Sequence, residues 1–99
     1  MVAQYDVVKL RNGPLVIVLQ DDRVSGIATR IVAPLVPVSD TGIQPRNLCP
    51  VVNVDGNVMV CLTQSMAALP VRDLDFVQFN LSHRREDFIR ALDLLFTGV

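Results

Sequence analysis

The residues of this chain best equipped for chemistry are His83, Arg84 and Arg85, a consecutive run of titratable and cationic side chains. Such a run could supply a general base flanked by anion-binding groups, as cleavage of an RNA phosphodiester would require. His83 is the single histidine, however, so no second imidazole is at hand. The cluster also falls where a helix is expected to start, opposing the helix dipole rather than using it. The plainer interpretation is a first turn whose polar side chains bond to backbone and water. Asp21 and Asp22 are adjacent and would alternate sides on a strand, which suits a turn better than a paired acid and base. Ser25, Ser39, Ser65 and Ser82 lack the GxSxG setting of a nucleophile elbow, and neither GxxxxGK[ST] nor GxGxxG occurs. Cys49 and Cys61 have no CxxC spacing and lie in or beside apolar runs, so they read as reduced core residues rather than zinc ligands or a disulfide. These negatives favour a binding protein over an enzyme, with no catalytic residue, metal or cofactor expected.

The element that could present residues to a partner is the C-terminal stretch LSHRREDFIRALDLLFTGV, residues 81–99. Ser82 suits a helix start through its hydroxyl, and Glu86 with Asp87 places negative charge near the positive end of the dipole. Phe88, Leu92 and Phe96 recur at i, i+4 and i+8, widened by Ile89 and Leu95, which predicts a buried stripe. Arg84, Glu86, Arg90 and Asp93 fall on the opposite face. Gly98 stands where a residue of positive φ commonly ends a helix.

Upstream the chain reads as strands. Tyr5, Val7 and Leu10 begin one, and Arg11-Asn12-Gly13-Pro14 predicts a tight turn using the positive φ that Asn-Gly favours. Residues 15–19, LVIVL, are too apolar for a wet face and should be covered on both sides. The β-branched segment running from Ile31 to Val38 contains Pro34 and Pro37, which predicts an edge or bent strand. Residues 39–48 read as a long exposed loop. Val51 to Leu62, turning at Asp55-Gly56-Asn57, is the clearest hairpin. Residues 66–71 are ambiguous between helix and strand, and residues 74–79 read as a last strand. Strands first and one helix last predict a mainly β fold, a curled or barrel-like antiparallel sheet capped by the terminal helix.

Length and composition set the frame. Ninety-nine residues make one domain, 1–99, and 51% hydrophobic content with mean hydropathy +0.41 is rich for that size. A homodimer interface is an economical outlet for the surplus. No apolar run reaches the roughly eighteen residues of a membrane span, so no membrane partner is expected. MVAQYDVVKL lacks the pattern of a signal peptide, so the expected compartment is the cytoplasm. Net charge −1 and pI near 5.6 give no general attraction to phosphate backbones, so direct nucleic-acid binding is not expected.

Several segments together carry a resemblance. Leu81-Ser82-His83-Arg84 is followed by Asp87, Ile89, Ala91, Leu94, Phe96, Gly98 and a final β-branched Val99. Earlier come Val32-Ala33-Pro34-Leu35, Pro50-Val51-Val52 and Met66-Ala67-Ala68-Leu69-Pro70-Val71. In this order and spacing the chain resembles the CcdB family, the toxin half of toxin–antitoxin pairs that serve plasmid maintenance. The resemblance implies an SH3-like barrel with a C-terminal helix, a homodimer, and neutralisation by a cognate CcdA-like antitoxin with a disordered tail. It implies binding to the DNA gyrase A subunit, trapping gyrase on cleaved DNA without catalysis by the toxin itself. The target-binding residues would be Thr97, Gly98 and Val99 at the tip, with Glu86, Arg90 and Asp93 on the helix. Arg23 and Val24 stand where the family has two isoleucines. Arg11, Asp40 and Arg46 would face the antitoxin. The family's tip reads Trp-Gly-Ile, whereas this chain has no tryptophan and reads Thr97-Gly98-Val99. Alternatives are an attenuated relative with a different target, or an endoribonuclease like the MazF toxins, using His83, Arg84 or Arg85.

Overall fold

The computed structural model describes residues 2–99. Among these residues seven strands form one antiparallel sheet: β1 (Asp6–Lys9), β2 (Leu15–Val18), β3 (Thr29–Pro37), β4 (Val51–Val54), β5 (Asn57–Cys61), β6 (Ala67–Pro70) and β7 (Phe76–Asn80). The order is β4-β5-β3-β2-β1-β7, with β6 also paired to β3. The sheet curls into a half-barrel, and the helix α1 (Arg85–Thr97) closes it, as expected from strands followed by one helix.

Side-chain alternation along the inner strands builds two cores, one on each sheet face. Val7, Ile17, Ala33 and Leu35 point to one side, where Leu81 and Phe88 join them. Val8, Val16, Val18 and Val32 point to the other and pack with Leu74. β2 is therefore covered on both faces, as its unbroken apolar run predicted.

β3 corrects the expectation of an edge strand. It is the longest strand and lies inside the sheet, pairing β2 on one side and, in succession, β6 and β5 on the other. Pro34 is tolerated because of that succession. Pairing with β6 ends at Val32, pairing with β5 starts at Leu35, and the Pro34 carbonyl accepts from the Leu62 N–H at 3.0 Å. Since a strand residue's N and O face the same side, the missing N–H falls in the gap between the two partner strands. Pro37 is the last residue of the strand, where no further ladder bond is required.

One turn differs from expectation and one matches it. Asn12 and Gly13 keep negative φ, because the β1–β2 connection spans residues 10–14 and closes through Leu10 and Pro14 rather than by a two-residue turn. The two-residue turn is at Asp55 (φ 51°) and Gly56 (φ 86°), where Val54 pairs Asn57 and the Asn53 Oδ1 accepts from the Gly56 N–H at 2.9 Å. Within residues 66–71, Ala67–Pro70 form strand β6 and Val71 opens a 3₁₀ turn; the last strand begins at Phe76, with Leu74 buried just before it.

The helix entry also differs. Ser82–Arg84 forms a 3₁₀ turn and α1 starts at Arg85 without a side-chain cap. The cap expected of Ser82 is not formed; instead the Ser82 N–H donates to Asn80 Oδ1 at 2.8 Å. The Asn80 amide group meanwhile donates to Asp6 Oδ1, also at 2.8 Å, tying the helix entry to β1. Phe88 is 1% exposed and stacks on Tyr5, with ring centroids 5.6 Å apart. Tyr5 is held at φ 67°, its N–H donating to Val18 O and its carbonyl accepting from Leu81 N.

Candidate functional site

Glu86, Arg90, Asp93 and Thr97 follow one another by four, three and four residues, a spacing that stacks side chains along one helix face. All four are exposed on α1, which is the outward face the sequence predicted. The Thr97 hydroxyl donates to the Asp93 carbonyl at 2.6 Å, and Gly98 (φ 76°) ends the helix with its N–H donating to Leu94 O at 3.0 Å. Only glycine adopts that left-handed conformation without cost, so Gly98 both terminates α1 and sets the direction of Val99.

The apolar stripe is split. Phe88 and Ala91 are buried, Leu92 is half-buried, and Phe96 is 69% exposed. Phe96 was expected in the core with Phe88 and Leu92, but the last turn reaches only the rim of the sheet. There Phe96 and Leu92 flank a shallow groove of about 450 Å³ with Ile31, Met66, Ala67 and Ala68. Val99 beyond it is 88% exposed, so the tip is an apolar projection.

Beside the start of the helix lies a second cleft, of about 480 Å³, walled by Arg46, Pro50, Val51, Arg84, Asp87 and Arg90. Asp87 organises it, accepting from Arg84 Nε at 2.7 Å and from Arg90 Nη1 at 3.4 Å. Arg84 Nη2 also donates to the Val51 carbonyl at 3.0 Å. β4 pairs only with β5, so Val51 is on a sheet edge, and Arg84 occupies one of that edge's outward acceptors. Arg84 thus has the backbone bond anticipated for it.

The remaining predicted residues are dispersed. Arg23 and Val24 are exposed on the 3₁₀ turn Asp22–Val24, separate from α1 in the chain. Arg23 pairs with Asp21 through two bonds of 3.0 Å, and Asp21 accepts from the Arg23 N–H as well. Those bonds hold the Asp21 carboxyl down at about 2. Arg11 lines a different cleft, of about 350 Å³, with Arg72, Asp73, Asp75 and Phe76. Asp40 is exposed on the 3₁₀ turn Val38–Asp40. The structure therefore brings Arg46 together with Arg90, residues assigned to different partners, and does not bring Arg46 together with Arg11. The contributions of Asp87, Pro50 and Val51 to the arginine cleft were missed. The spacings of three from Arg84 to Asp87 and from Asp87 to Arg90 could have pointed to part of it.

His83 is exposed on the 3₁₀ turn, and no hydrogen bond to its side chain occurs among the described residues. Cys49 and Cys61 are free thiols in the core; burial pushes Cys61 up to about 12, which keeps it protonated and unreactive. Among the described residues no helix is long and apolar enough to cross a membrane.

What the geometry offers is recognition: an exposed helix face, an apolar tip and a basic cleft at the helix start. A search of curated proteins finds no match. The family model described as CcdB protein matches residues 3–98, nearly the whole chain, and so includes α1 with its face and all but the last residue of its tip. The chain belongs to the CcdB family, the toxins of toxin–antitoxin pairs.

Proposed function

We propose that this chain is a toxin that binds the DNA gyrase A subunit and holds the gyrase–DNA complex in an arrested state. The observation that carries the proposal is the gathering of Glu86, Arg90, Asp93, Thr97, Gly98 and Val99 on one exposed face and tip of α1, the segment assigned to target contact. The chain makes or breaks no bond in this reading. It shifts gyrase towards the conformation it binds best, by no more than its difference in affinity between states. A homodimer is the proposed active form, supported by the apolar groove at Phe96, Ile31, Ala67 and Ala68, which needs cover. A CcdA-like antitoxin is the proposed antagonist, and the cytoplasm, where gyrase works, the proposed location.

The test is supercoiling and DNA cleavage by the gyrase of the same organism, with and without the purified dimer. Dimer-dependent loss of supercoiling with accumulation of cleaved DNA is expected; a folded dimer that neither binds gyrase A nor inhibits it removes the proposal. Thr97 supports a second reading, an attenuated toxin or one with a different target. The tip carries no aromatic ring where the family has an indole, and Thr97 is exposed rather than packed. Capture of gyrase A without inhibition would distinguish attenuation from a change of target.

A further inference from the structure

Residues 22–28, between β2 and β3, are all exposed, and none of them joins either core. Exposed connections of this kind are ordinarily the mobile parts of a domain, yet this one is braced at both ends by side chains. Arg30 is 4% exposed and forms no ion pair among the described residues. Its Nη1 donates to the Ile27 and Thr29 carbonyls and its Nη2 to the Ser25 carbonyl at 2.9 Å. Gln20 braces the other end. Its amide group donates to the Val24 carbonyl at 3.0 Å and the Thr29 carbonyl at 3.3 Å, and its Oε1 accepts from the Ile31 N–H at 3.1 Å. Asp22 Oδ1 accepts from the Gln4 N–H at 2.8 Å, which ties the loop to the N-terminal segment as well.

Burying a cation without a carboxylate is costly unless its donors are met, and here they are met by loop carbonyls. The sheet does not require this arrangement, because the Arg30 backbone already pairs with Leu69 on β6 while its side-chain bonds all go to residues 25–29. What they secure is the shape of a loop that carries Val24 and Ile27, 45% and 55% exposed. Gln20 also lines the groove flanked by Leu92 and Phe96, so the loop it holds stands at the margin of the surface that ends in the α1 tip.

We propose that Arg30 is a positioning residue for target recognition, fixing residues 22–28 so that Val24 and Ile27 meet the same partner as the tip of α1. Gln20 is the second brace, and Ile27 joins the contact surface. The proposal rests on the gyrase reading for the identity of that partner. Contact residues already held in their bound arrangement lose less entropy on association, so Arg30 acts on affinity without touching the partner.

The experiment measures binding of the full chain to gyrase A of the same organism by calorimetry, for wild type, R30M, V24S/I27S and the combined variant. Thermal unfolding and ¹⁵N relaxation of residues 22–28 accompany it. R30M is expected to keep the amide spectrum of both cores, to loosen residues 22–28, and to bind gyrase A about tenfold or more weakly. V24S/I27S should also bind weakly, and adding R30M to it should lower affinity little further, since a loop without its apolar contacts has nothing left to position. Any fall in melting temperature caused by R30M should be the same in both backgrounds, so a purely structural role does not produce that pattern. Should R30M fail to fold, R30K and Q20M, each weakening one brace, are read in the same way. Wild-type affinity in the folded variant, an unloosened loop, or an equal loss of affinity in both backgrounds overturns the proposal. If the wild type itself does not bind gyrase A, the gyrase reading falls and the recognition role of Arg30 with it. If the wild type binds and R30M binds equally well, only the role of Arg30 falls.

Discussion

Replacing Thr97 by tryptophan tests directly whether the helix tip meets the target. Thr97 is exposed in the last turn of α1, and its one side-chain bond is to the Asp93 carbonyl within the same helix. Loss of that bond at a solvated position should change stability by less than about 0.5 kcal/mol, as for most surface substitutions. The gain on the target side is larger. An indole over a cation contributes about 0.5–2 kcal/mol, and a tryptophan anchor enclosed by an interface commonly about 2 kcal/mol or more. A net gain of about 2 kcal/mol corresponds to roughly thirtyfold tighter binding. Gly98, in its left-handed conformation, is unaltered, so the ring would leave from the same helix end. Binding to purified gyrase A by calorimetry, alongside supercoiling inhibition and thermal unfolding, reads all three quantities. Thr97→Ala is the control, since it removes the hydroxyl without adding a ring and should show no gain in affinity. A folded Thr97→Trp protein with unchanged melting temperature and no gain in gyrase affinity would refute the reasoning, because the tip would then not lie in the interface.

Phe88→Ala should destabilise the chain by about 3–5 kcal/mol in chemical denaturation, since Phe88 is fully buried between helix and sheet. A double-mutant cycle with Tyr5→Leu and Phe88→Leu should isolate about 0.5–1.5 kcal/mol for the stacked rings. In a Cys49→Ala background, Cys61 should resist iodoacetamide at pH 8 and react only on unfolding, because burial holds its thiol at about 12; rapid labelling of folded protein would contradict this. The Asp21 carboxyl, lowered from 3.8 to about 2 chiefly by the Arg23 side chain, should titrate near 2 by NMR and move back towards 3.8 in Arg23→Gln. Because its folded value is depressed, the bond's contribution to the turn is present above about pH 4 and fades as pH falls towards 2. A midpoint unchanged by Arg23→Gln would refute the pairing.

What the sequence determined by itself was whatever depends on near neighbours. The 3.6-residue period placed α1 and its outward residues Glu86, Arg90 and Asp93, and Gly98 marked its end. The unbroken run at residues 15–19 announced a strand buried on both faces, and Asp55-Gly56 announced a hairpin. The tertiary structure decided what depends on residues far apart in the chain. Pro34 looked like an edge residue because the sequence cannot show two partner strands succeeding each other along β3 and leaving a gap for the missing N–H. Phe96 shared the period of Phe88, yet periodicity says which way a side chain points and not how far the sheet extends beneath it. Asn80 rather than Ser82 orders the helix entry, accepting from the Ser82 N–H, because β1 fixes its side chain through Asp6, 74 residues away. The cleft joining Arg46 to Arg84 and Arg90 exists only because the edge strand β4 comes to rest beside the start of the helix, a contact between segments more than thirty residues apart, 33 at its Arg84–Val51 bond.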